Sequence, residues 1–161
     1  MLTQTKKIVK ISRNANTELA HNLVREYKQT RWVQNSERIG KPDTLSARYS
    51  IQEMEEFLDV AKKNGGDGIK FYFGAYPEYF ASNPDYSGRQ TLVLVATKSK
   101  ITGTGEKAVK DIYIRKNGKA EIVCGILPEG CPPRCSRSNE GGMGDLGITI
   151  VDKGSKGMEI V

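Results

Sequence analysis

Apolar residues recur at helical spacing in NTELAHNLVREYKQT, from Asn16 to Thr30. Leu19, Ala20, Leu23, Val24 and Tyr27 fall within one arc, and His21, Arg25 and Lys28 lie together on the other side. The pattern predicts an amphipathic helix with a basic outer face. RWVQNSERIGKPDTLSA reads as its fraying continuation, with a turn at Gly40-Lys41-Pro42-Asp43. A second helix is predicted over SIQEMEEFLDVAKKNGG. Ser50 and Glu53 have capping-box spacing, Ile51, Met54, Phe57, Leu58 and Ala61 form an apolar stripe, and Gly65 or Gly66 can close the end.

After Gly66 the period changes from helix to strand. GIKFYFGAY alternates, placing Ile69, Phe71 and Phe73 on one face and Lys70 and Tyr72 on the other, which predicts that Phe71 and Phe73 are core. QTLVLVATK is apolar enough for a central strand. DIYIRKNGKAEIVCG predicts a hairpin, because Asn117-Gly118 is a favoured type I′ turn between β-rich flanks. GITIVDKGSKGMEIV supplies two more short strands around a Gly-Ser turn. Helices first and strands afterwards predict an α+β fold, with the N-terminal helices packed on one face of a mostly antiparallel sheet. At 161 residues the chain has the size of one domain, and no repeat or linker divides it. Residues 1–15 precede the first element and are expected to be disordered.

DGIKFYFGAY, TLVLVAT and CPPRC, in that order, resemble a group of small uncharacterised proteins from Bacteroidota. Those typically carry two helices, a GI(R/K)xYxG strand, an LVLV strand and a CPPxC segment. The likeness covers roughly residues 17–135. It implies an architecture and a bacterial source, and no activity. This chain differs by continuing beyond Cys135 and by the longer insertions PEYFASNPDYSGR and ITGTGEKAVK.

The net charge is +6, with an isoelectric point near 9.2 and a mean hydropathy of −0.51. The basic residues are dispersed, so a solvated surface is expected and nucleic acid is disfavoured. The N-terminus lacks the apolar region of a secretory signal, and no run of apolar residues is long enough for a membrane span. A cytoplasmic protein is expected.

The sequence offers four kinds of candidate chemistry. Cys124, Cys131 and Cys135 are spaced C-x6-C-x3-C, which lacks both the usual zinc knuckle and the C-x-x-C redox spacing. A fourth metal ligand would have to come from Glu140 or Asp145. Unpaired thiols in a proline-stiffened turn are the default. The alternative is a disulfide between Cys131 and Cys135, or between Cys124 and either of them. Gly142-x-Gly144-x-x-Gly147 spells the dinucleotide signature, but a strand and not a helix follows it. No nucleophile elbow, zinc-protease or P-loop motif is present, His21 has no evident catalytic partner, and no cofactor is indicated.

Aromatic residues are the fourth feature. Phe71 and Phe73 are assigned to the core. Tyr76, Tyr79 and Phe80 lie in a loop, with Lys70 and Arg89 nearby, and are candidates for a recognition surface. Arg134, presented by the CPPRC corner, joins them. The reading is therefore a non-catalytic binding or interaction module meeting a protein or small ligand, with a homo-oligomer as one form of partnership. The alternative is a metal-binding or thiol-redox protein using the three cysteines.

Overall fold

The N-terminal helical pattern extends further in space than in sequence. The computed structural model describes residues 16–135, 150–152 and 154–160. In it α1 spans Thr17–Tyr27, a wider π-helical turn covers Lys28–Trp32, and α2 continues over Val33–Ile39. The Asn16 side chain caps the start, accepting from the Leu19 N–H at 2.8 Å. Gly40 closes the run in the left-handed conformation, with φ of 70°. The expected fraying after Thr30 is thus corrected. Trp32 is buried and its indole N–H donates to the Asp43 carbonyl at 2.8 Å, so tertiary anchoring holds a segment of indifferent propensity.

Lys28, in the π turn, is fully buried. Burial first, and the Arg25 charge second, push its ammonium down to about 8. The folded chain therefore releases this proton before the unfolded chain does. Stability should rise as pH climbs from about 8 towards the ordinary lysine value of about 10.4. Urea unfolding across that window checks the rise, which Lys28→Met should abolish.

β1 (Ser46–Arg48) leads into α3 (Ile51–Lys63). The predicted capping box is formed: the Glu53 N–H donates to Ser50 Oγ at 3.1 Å, and the Ser50 N–H donates to Glu53 Oε2 at 2.7 Å. Phe57 and Ala61 are buried and Met54 packs beside them. Ile51 does not share that burial; at 79% exposed it belongs to the solvent side.

β2 (Gly68–Ala75) pairs antiparallel over its whole length with Gln90–Thr97 of β3 (Gln90–Ile101), and β4 (Lys107–Asp111) pairs with Thr97–Ile101 of β3. β4 lies largely in the insertion ITGTGEKAVK, for which the sequence pattern assigns no element. β5 (Tyr113–Lys116) and β6 (Lys119–Ile122) form the predicted Asn-Gly hairpin, with positive φ at Asn117 and Gly118. The chain leaving β6 returns to β3: the Ala96 N–H donates to the Val123 carbonyl and the Gly125 N–H to the Leu94 carbonyl, both at 2.9 Å. β7 (Glu129–Cys131) pairs with β1, and β8 (Ile150–Asp152) with β9 (Met158–Ile160). All these pairings are antiparallel, and the fold is α+β.

The main core forms where α3 meets β3: Phe57 and Ala61 pack with Leu94, Ala96 and Val123. Leu94 faces Phe71 across the ladder and Leu92 faces Phe73, so the predicted facing of β2 is right. The predicted burial is not. Phe71 is 47% exposed and Phe73 84%, because the core under α3 takes in Ile69 of β2 but neither phenylalanine. Among the described residues, no helix is long and apolar enough to cross a membrane.

Candidate functional site

The loop from Tyr76 to Arg89 turns back on itself through a one-turn helix at Pro84–Tyr86. The Tyr76 N–H donates to the Arg89 carbonyl, and the Gly88 N–H to the Pro77 carbonyl, each at 2.9 Å. The loop brings its aromatic rings together: the Tyr76 ring centroid lies 4.9 Å from that of Phe80 and 5.2 Å from that of Tyr86, both pairs tilted. Such geometry adds about 0.5–1.5 kcal/mol per pair beyond burial.

This cluster forms one wall of a groove of about 400 Å³, with Asn83 beside it. Leu127, Pro128, Glu129 and Arg134 form the other wall. The structure therefore brings Tyr76, Phe80 and Arg134 together from separate segments. Tyr79 does not join them; it is 85% exposed and stands outside the lining. Tyr79→Ala should leave the melting temperature unchanged, whereas Tyr76→Ala should cost about 1–2 kcal/mol through the two lost ring contacts. Thermal unfolding of both variants separates them.

The second wall is held from below. β1 and β7 pair Ser46 with Cys131, Ala47 with Gly130 and Arg48 with Glu129. The Leu45 N–H donates to the Cys131 carbonyl at 2.8 Å, and the Thr44 hydroxyl to the Pro132 carbonyl at 2.7 Å. The Tyr49 hydroxyl donates to the Ile126 carbonyl at 3.0 Å, and burial first, then Tyr76, pushes its phenol up to about 12. A Cβ on Gly130 would lie 3.0 Å from two Thr44 side-chain atoms and 3.3 Å from the Tyr86 ring. Gly130→Ala should cost about 1–3 kcal/mol by overpacking, and urea unfolding reads that loss.

The CPPRC corner itself contains two cis peptide bonds, Cys131-Pro132 and Pro132-Pro133. Cys131 and Cys135 are joined in a disulfide with Cα atoms 4.9 Å apart. This corrects the expectation of unpaired thiols, and the three sulfurs do not form one ligand set. Cys124 is free and exposed, in a hollow beside Phe57 and Val60. Among the described residues, no group of three or more His, Cys, Asp or Glu side chains is arranged to hold a metal ion. Native thiol titration should count one reactive thiol, and titration after reduction in denaturant should count three. The glycine run Gly142–Gly147 and the carboxylates Glu140 and Asp145 lie outside the described residues.

The two cations expected beside the aromatic loop are committed elsewhere. Lys70 pairs with Asp111 at 2.6 Å and donates to the Tyr72 hydroxyl at 3.2 Å. Those hydrogen bonds, Asp111 first, raise the Lys70 ammonium, and the Lys70 bond holds the Asp111 carboxyl down. Arg89 is only 8% exposed, and its Nε donates to the Asp85 carbonyl at 2.8 Å. Burial pulls its pKa down, while Asp43 and Asp85 oppose the shift. Arg134, by contrast, is exposed on the groove.

Sequence reasoning missed Tyr86 and the Leu127-Pro128 wall. Asn83-Pro84-Asp85 is a turn signal that places Tyr86 at the end of a tight helical turn, so that residue was accessible to it. Leu127 and Pro128 carry no local sign of meeting an aromatic loop some forty residues earlier. No known protein family matches the chain, and neither a curated protein nor a solved structure matches it.

Proposed function

We propose that this protein is a non-catalytic binding module whose groove between the Tyr76–Tyr86 loop and the Leu127–Arg134 segment receives its partner. The convergence of Tyr76, Phe80 and Arg134 on one groove carries this reading. The aromatic wall favours a flat or apolar group, and the exposed guanidinium favours an anion held by paired hydrogen bonds. The ligand class is thus a small molecule or peptide side chain that joins a ring to a carboxylate or phosphate. Glu129 is already turned to Arg48, at 3.8 Å, and leaves Arg134 as the cation for the ligand.

Titration with benzoate, phenyl phosphate and a tyrosine-containing acidic peptide, followed by amide chemical shifts, tests the proposal. Shifts should cluster at residues 76–86 and 127–134. Arg134→Ala should weaken binding of the anionic probes about tenfold while leaving the fold intact. Absence of groove-localised shifts with all three probes refutes the reading.

Two parts of the proposal concern origin. Membership of the Bacteroidota group rests on the GIKFYFG, LVLV and CPPRC segments. A cytoplasmic location is one proposal, and the Cys131–Cys135 disulfide argues instead for an oxidising compartment. Thiol counting on protein quenched directly from cells decides between the locations.

A further inference from the structure

We propose that β2 is a self-recognition edge, along which two copies of this chain pair antiparallel about a two-fold axis at Phe71. Among the described residues, β2 pairs only with β3, so one side of an eight-residue strand is left open. The Tyr76 N–H bond to the Arg89 carbonyl and the Ile112 N–H bond to the Ala96 carbonyl set the phase of the ladders. Continued along β2, that alternation turns the N–H and C=O groups of Ile69, Phe71 and Phe73 outward. An open row of this kind is a template for another strand.

The side chains indicate which strand fits. Phe71 and Phe73 lie on the core-facing side yet are largely uncovered, and Leu23 of α1 continues the apolar surface at the rim of a cleft it shares with Phe73. Edge strands that must stay single carry charges, prolines or bulges. β2 has no proline, and its one charge, Lys70, is neutralised by Asp111 at 2.6 Å. A chain with a net charge of +6 repels its copies in general, but this strand adds no unpaired charge of its own to that repulsion.

Antiparallel pairing about Phe71 sets Phe71 opposite its own copy, Ile69 opposite Phe73, and Lys70 opposite Tyr72. The first two pairings build a continuous apolar row on the core side. The third keeps the two Lys70 side chains apart and gives each a second aromatic face, as each already lies 5.2 Å from its own Tyr72 ring centroid. The interface is isologous, so it closes as a dimer.

Sedimentation of the full chain across a concentration series should show a species of twice 17.8 kDa that dissociates on dilution. Phe73→Lys, at a site too exposed to affect folding, should raise the dissociation constant about tenfold or more. In a Cys124→Ser background, Phe71→Cys should crosslink to itself on mild oxidation, and Ala75→Cys should not. A monomer at every concentration overturns the proposal, including the case where β2 amides are protected by the chain's own terminus or by an added peptide. A dimer indifferent to Phe73→Lys and without the Phe71→Cys crosslink lies elsewhere on the surface and overturns it equally. The groove titration reads different residues, so each proposal can fail without the other.

Discussion

Asp43→Ala is expected to lower the unfolding free energy by about 3–5 kcal/mol, among the largest single losses in the chain. Asp43 is buried, and its Oδ1 accepts from the Thr44 N–H and the Gln90 N–H, both at 2.7 Å. Its own N–H donates to Ser36 Oγ at 2.9 Å, and its carbonyl receives the Trp32 indole. One residue therefore fastens the end of the helical run to the start of β3. Its carboxylate also supplies negative charge to Arg89, whose Nη1 is buried without a hydrogen-bond partner among the described residues. Truncation strands the buried Thr44 N–H and the part-buried Gln90 N–H, and removes a counter-charge from a desolvated cation. Asp43→Asn keeps an acceptor and loses the charge, so its loss should be smaller. Replacing Arg89 by leucine in the Asp43→Ala background should recover part of the stability, because the uncompensated cation goes with it. Urea unfolding of the four proteins makes the comparison. Equal losses for Ala and Asn would show that charge, and not amide satisfaction, dominates.

Phe57→Ala carries the second large effect, about 3–5 kcal/mol. Its ring fills the space between α3 and β3 and lies so close to the backbone that a Cβ on Gly125 would be 3.3 Å from two of its atoms. Leu94 and Ala96 are fixed in a strand bonded on both sides, so the cavity cannot collapse easily. Ile51→Ala, on the same helix, should change stability by less than about 0.5 kcal/mol. If the two substitutions cost the same, the core is not where α3 meets β3.

These effects divide along the line between local and distant information. The Ser50–Glu53 capping box and the Asn117-Gly118 turn were legible because both partners lie within a few residues and the geometry is set by the backbone they span. β3 was legible from its composition alone, since LVLV suits only a strand enclosed on both sides. Phe71 and Phe73 illustrate the boundary. Alternation placed them on the correct face, yet facing the core is not the same as being covered by it, and coverage depends on where α3 and the N-terminal helix end. Ile51 fails for the same reason, at the edge of a stripe that Phe57 and Ala61 satisfy. The helical run past Thr30 failed in the other direction, because the Trp32 bond to Asp43 is tertiary.

The groove follows the same logic. Tyr76, Phe80 and Arg134 could be singled out as aromatic and cationic residues in loops. Their convergence could not, since it depends on β1 pairing with β7 and on the aromatic loop folding back through Tyr86. Arg89, one of two cations in the same stretch as the loop tyrosines, is buried with its Nε on the Asp85 carbonyl, and nothing within the sequence distinguishes it from an exposed arginine.

By itself the sequence determined the class of fold, the capped helix, the central strand and the Asn-Gly hairpin, because periodicity, capping and turn stereochemistry act over a few residues. The tertiary structure decided which apolar faces were covered, which cysteines joined and which loop residues met across a groove. Those outcomes depend on chain segments far apart in sequence competing for the same space, and no local pattern encodes the result of that competition.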